Sequence, residues 1–169
     1  MDAYKLYTKD GGTDKVLAKY EEALEHWRAT EEMERQAESV DAILLCLASL
    51  GEGSGQVDYA EESVRLHGIL GQSAELAEAY MQLGTIYNIR GDAHRALEVW
   101  HRALEIRRAI GEAGWTLNRM GDLYLGLGEA QTALDHYREA LSLSPKEEPS
   151  VRADSLSSLA HVYIRLGDK

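Results

Sequence analysis

The chain has 169 residues, 44% of them apolar and 28% charged, with a formal net charge of −11. That length suits one domain with a sizeable core, and the acidic balance argues against a nucleic-acid backbone as partner, since phosphate binding needs clustered cations. No apolar run approaches the ~18 residues of a membrane span, and the start at Met1–Lys5 lacks a signal-peptide core.

A single cysteine, Cys46, excludes an internal disulfide and suits a reducing compartment, so a cytoplasmic location is expected. The charge is uneven, at −9 over residues 1–76 and −2 over residues 77–169. Around Glu31, Glu32, Glu34, Glu38 and Asp41 a basic partner is permitted, although a solvated helix end explains the same run.

Apolar positions recur at three and four residues with no sustained alternation, which predicts helices throughout. In chain order they fall at about 2–9, 14–33, 36–50, 54–70, 73–90, 92–110, 112–127, 129–143 and 149–167. Thr13-Asp14, Ser54 and Asp92 supply start signals. Gly51, Gly71, Gly91, Gly111, Gly128 and Gly167 supply stops. Gly51–Gly55 reads as the loosest turn, and Ser144–Pro149 as a linker between repeats.

Two ladders of small residues run through these helices. Ala23, Ala60, Ala96 and Ala133 are spaced by 37, 36 and 37 residues, and Ala48, Gly84, Gly121 and Ala160 by 36, 37 and 39. One period shared by two ladders means a repeat protein, with small residues where helices come closest. A leucine at Gly84 is expected to overpack such a crossing.

The units align in detail. Leu117, Met120, Gly121, Tyr124, Ala133, Tyr137, Ala140 and Pro145 in one unit match Tyr80, Leu83, Gly84, Tyr87, Ala96, Trp100 and Ala103 in the unit before, with Arg108 in place of the proline. An earlier unit keeps Leu44, Leu47, Ala48 and Ala60 but has Gly51 for the tyrosine and His67 for the second alanine. Leu156, Leu159, Ala160 and Tyr163 begin a fourth. This pattern resembles the tetratricopeptide repeat family. The resemblance implies an all-α fold, a right-handed α-solenoid of antiparallel helix pairs, each a helix A followed by a helix B.

The expected organisation is a short leading helix and a first helix B over 1–35, then units over 36–72, 73–111 and 112–148, and helix A of a truncated unit over 149–169. A missing helix B would leave the last helix uncovered, a place where copies could self-associate or another chain could dock. The repeats are longer than the usual ~34 residues. Lys19–Trp27 and Arg107–Ala113 also look like the bacterial arrays joined to caspase-like CHAT protease domains, whose catalytic His and Cys would lie outside this chain.

No phosphate-binding loop and no zinc-protease motif is present, and no enzyme activity is expected. His94 and His101 share a helix face but lack a third ligand, so no metal and no cofactor is expected. Cys46 inside a helix reads as packing, since no histidine has a defined relation to it. Binding of a protein or peptide is the expected function. The resemblance places the binding groove on the concave, helix-A side, at Met81, Thr85, Asn88, Trp115, Asn118, Asp122, Ser157 and His161. Trp115 is the candidate anchor, and Asn118 the candidate partner for a peptide backbone. Of the positions that grip a C-terminal carboxylate in one subgroup, Leu45, Ser49, Gln82 and Trp115 do not match and Arg119 does, so such a clamp is not expected. The alternatives are a receptor for a short signalling peptide and the non-catalytic arm of a CHAT-type protease.

Overall fold

The computed structural model describes residues 12–51, 55–143 and 149–167. Every element among them is an α-helix: α1 (Gly12–Ala29), α2 (Met33–Leu50), α3 (Gln56–Leu70), α4 (Ser73–Ile89), α5 (Ala93–Ile110), α6 (Ala113–Gly126), α7 (Ala130–Leu143) and α8 (Pro149–Leu166). The expected helix at 2–9, the Ser54 start signal and Pro145 lie outside the described residues. The chain forms two compact units, Met1–Ile86 and Tyr87–Lys169, and the division falls inside α4.

Helices α4, α5 and α6 stop by one device. After α5, the Glu112 amide bonds the Arg107 carbonyl at 2.8 Å and the Gly111 amide bonds that of Arg108 at 3.3 Å. The same pair of bonds closes α4 through Gly91 and Asp92, and α6 through Gly128 and Glu129. Each glycine sits at positive φ, from 79° to 84° at these three turns, where a side chain would crowd the backbone. The first turn departs from the sequence expectation. The predicted helix 14–33 ends instead at Ala29, and α2 begins at Met33. Glu31, at φ 59°, occupies the left-handed position itself, with Glu32 bonding the Trp27 carbonyl at 3.1 Å. The boundary carries no glycine, so the composition did not mark it.

In the first unit α2 packs against both α1 and α3. Leu24, Val40, Ile43 and Leu66 are all but fully buried, and Ala60 is fully so. The α2 residues Ala37, Val40, Leu44 and Leu47 repeat at helical spacing and form its inward stripe. Arg28 on α1 reaches Glu62 on α3 at 2.6 Å, an exposed link that adds little to stability.

In the second unit α6 packs on α5, α7 and α8, and α7 also packs on α8. Its core gathers Ala133, Leu134, Tyr137, Leu159 and Val162, with Tyr124, Leu125 and Tyr163 around them. Ala96 and Ala133 are fully buried, whereas Ala23 is only partly so. Of the second ladder Gly84 and Gly121 are buried, but Ala48 and Ala160 are exposed. Gly121 is covered by the Tyr137 ring. In the register of Tyr137 the first unit has Val64, so no ring is there to cover Ala48.

Candidate functional site

The residues expected to bind fall on α4, α6 and α8. On α4, Met81 is 1% exposed, which places it in the interior. Thr85 is exposed, with its hydroxyl donating to the Met81 carbonyl at 2.8 Å, and Asn88 is exposed.

On α6 the sequence spacing sorts two faces. Leu117, Met120 and Gly121 turn inward, while Trp115, Arg119 and Asp122 follow one another on the outer side. Trp115 is partly buried. The guanidinium carbons of Arg107 and Arg119 lie 5.5 and 5.4 Å from its ring centroid. Asp122 accepts a hydrogen bond from the buried Tyr137 hydroxyl at 2.8 Å, and its other oxygen lies 3.8 Å from Arg119. Burial, and then the bond to Asp122, push the Tyr137 phenol well above the usual tyrosine range.

Asn118 is directed into the fold. It is 7% exposed, its amide donates to the Val151 carbonyl at 3.4 Å, and its carbonyl accepts from Ser155 at 2.9 Å. Its side chain therefore joins α6 to α8. The Ser155 hydroxyl lies equally close to the Val151 carbonyl, so one proton serves two acceptors. On α8, Ser157 and His161 are exposed and continue into Ile164, which is 78% exposed.

The structure thus brings Trp115, Asp122, Ser157 and His161 onto two touching helices, with Asn118 as the bond between them. The spacing of Trp115 and Arg119 was a readable signal that they share a face. Arg107 was not foreseen there, because the turn at Gly111 brings it to α6 from another helix.

A second polar group lies in the first unit. His67, 5% exposed, has one ring nitrogen 2.9 Å from Asp41 and the other 2.8 Å from Gln72. Ser63 donates to the other Asp41 oxygen at 2.7 Å. Its hydroxyl is therefore held by a carboxylate, not by the imidazole. Asp41, at one end of the acidic run, is thus tied to α3 by two side-chain partners. Cys46 is buried, and burial raises its thiol pKa, which keeps the weakly nucleophilic protonated form. Among the described residues no group of three His, Cys, Asp or Glu side chains could hold a metal ion. No helix among them is long and apolar enough to cross a membrane.

Comparison with known proteins agrees with this geometry. Residues 75–146 match the tetratricopeptide repeat family. The photosystem I assembly protein Ycf3 of Prochlorococcus marinus is 31% identical over 91 residues, covering 54% of this chain and 50% of that protein. The transcriptional activator NprA of Geobacillus stearothermophilus is 24% identical over 156 residues, covering 86% of this chain and 38% of that protein. The chain therefore spans half or less of the length of these relatives. Among solved structures, TPR-like repeats of a Podosopora anserina kinesin light chain superpose with a TM-score of 0.77 at 16% identity, over 94% of this chain and 81% of that one. BtubC (BKLC) from P. vanneervenii gives 0.78 at 19%, over 92% of this chain and 67% of that one. These likenesses assign the fold class, an all-α solenoid of the tetratricopeptide type. The segment 75–146, with its paired helices and Gly121 under the Tyr137 ring, matches the tetratricopeptide repeat family.

Proposed function

We propose that this chain is a protein-interaction scaffold that takes a peptide or partner protein on the outer side of its A helices, principally α6 and α8. Tetratricopeptide repeats in general mediate protein–protein contacts. One observation carries the reading for this chain. Trp115, Arg119 and Asp122 on α6, and Ser157, His161 and Ile164 on α8, are stripes at helical spacing on two helices that touch. An aromatic anchor among adaptable polar groups is what a peptide-binding surface needs.

An array of random-sequence peptides tests it. Capture should weaken with Trp115→Ala, Ser157→Arg or His161→Glu and survive Gln131→Ala on the exposed side of α7. Capture lost only with the α7 change would overturn the reading.

The finer expectation is that the scaffold is the non-catalytic regulatory or sensing segment of a larger cytoplasmic bacterial protein, of the kind that carries a CHAT protease domain. Its support is the resemblance at Lys19–Trp27 and Arg107–Ala113. The coding sequence after Lys169 decides it: a domain with paired His and Cys supports it, and a stop codon removes it. Leu156 and Ile164, 49% and 78% exposed, favour α8 as the contact if copies self-associate. Light scattering across a concentration series, compared with Ile164→Glu, reads that directly.

A further inference from the structure

We infer that the segment bound at α6 is acidic: Trp115 and Arg119, with Arg107 beside them, form a cationic aromatic site for an Asp or Glu side chain of an extended peptide. The inference rests on the scaffold reading above and names its ligand chemistry.

The hydrogen-bond accounts of the arginines carry it. The chain has a net charge of −11, so carboxylates are in excess. Arg28, Arg35, Arg95, Arg102 and Arg108 each hydrogen-bond one of them. Arg119 does not. Its side chain is 53% exposed, and its one neighbouring carboxylate, Asp122, stays 3.8 Å away, beyond hydrogen-bond reach. Tyr137 explains the gap. Its hydroxyl, fixed in the core, holds the near oxygen of Asp122 at 2.8 Å and keeps that carboxylate from closing on Arg119. The half-exposed Arg119 guanidinium thus has no carboxylate at hydrogen-bond distance among the described residues, and it rests beside an indole 5.4 Å from its centre.

That arrangement suits a carboxylate. A guanidinium is a planar fork matched to two carboxylate oxygens, and its bonds are charge-assisted. The indole already restricts the side chain, so less rotamer freedom is lost on binding. Arg107, 5.5 Å from the same ring centre, adds positive charge from a second helix. The Trp115 ring offers apolar surface to the methylenes of a Glu side chain or to a flanking residue. A polyanion such as a nucleic acid would meet the acidic remainder of the chain, whereas one or two carboxylates on a peptide would not.

The test uses the whole chain and an array of random peptides, acetylated and amidated so that no terminal carboxylate is present. Bound sequences should be enriched in Asp and Glu. For a captured peptide, changing its critical Glu to Gln should weaken binding about tenfold. Arg119→Leu should erase the difference between the two peptides. Asp122→Asn should strengthen the acidic peptide, and Tyr137→Phe, by releasing Asp122 toward Arg119, should weaken it. Captured peptides without acidic enrichment, or equal loss of Glu and Gln peptides in Arg119→Leu, would overturn the acidic assignment and leave the scaffold reading standing. No captured peptide at all would remove both.

Discussion

Tyr137 lies directly over Gly121. A Cβ built on Gly121 would sit 2.6 Å from Cε1 of that ring, closer than real contacts allow. The two residues fix the spacing of α6 and α7, and they also place the Tyr137 hydroxyl against Asp122. One close approach thus sets both the packing of the second unit and the state of Arg119.

Gly121→Ala should destabilise the fold by roughly 1–3 kcal/mol, since the ring is buried and has little room to yield. Urea unfolding measures it. Combining the change with Tyr137→Leu should cost less than the sum of the two alone. Strict additivity would mean that the ring does not govern the crossing.

Glu31→Gly should raise stability by about 1 kcal/mol, because Glu31 holds a left-handed backbone that a side chain disfavours. A higher melting temperature is the expected readout. A lower one would mean the extra freedom glycine gives the unfolded chain outweighs the relief.

Thr116 is fully buried, and its hydroxyl has no hydrogen-bond partner. Thr116→Val keeps the shape and removes an unsatisfied polar group, so it should be neutral or stabilising by up to about 1 kcal/mol. A clear loss in urea unfolding would show that the hydroxyl is bonded in solution.

The Tyr137 phenol is raised by burial and by the Asp122 carboxylate above its ordinary value of 10.0. A raised folded pKa means that the neutral form is favoured in the fold. Its contribution to stability is therefore complete below pH 10 and is lost as the pH climbs above it. An absorbance titration should leave Tyr137 un-ionised past pH 10 until the chain unfolds, with Tyr59, also raised by burial and by Glu21, contributing to the late ionisation. Tyr137→Phe should shrink that late step. Full ionisation near pH 10 with the fold intact would contradict the burial.

Much of the fold was legible because its punctuation is glycine. Gly71, Gly91, Gly111 and Gly128 each end a helix where positive φ is required, so α3 to α7 fall within a few residues of the spacing read from sequence. The end of α1 was not legible, since Glu31 takes that conformation under constraint from the turn around it. His67 shows a second limit. It stands in the register of Ala103 and Ala140, and the polar group it forms with Asp41 and Gln72 depends on residues from three separate segments. At the candidate site, the shared face of Trp115 and Arg119 follows from local spacing. The inward turn of Asn118 depends on Ser155, one repeat away, which no local pattern announces.

The central claim is that partners bind on the outer side of α6 and α8, and a backbone amide NMR footprint of a captured peptide tests it most directly. The account predicts shifted resonances at Trp115, Arg119, Ser157 and His161, with those of Gln131, Asp135 and Arg138 on α7 unmoved. Shifts confined to α7, or to the first unit, would contradict it.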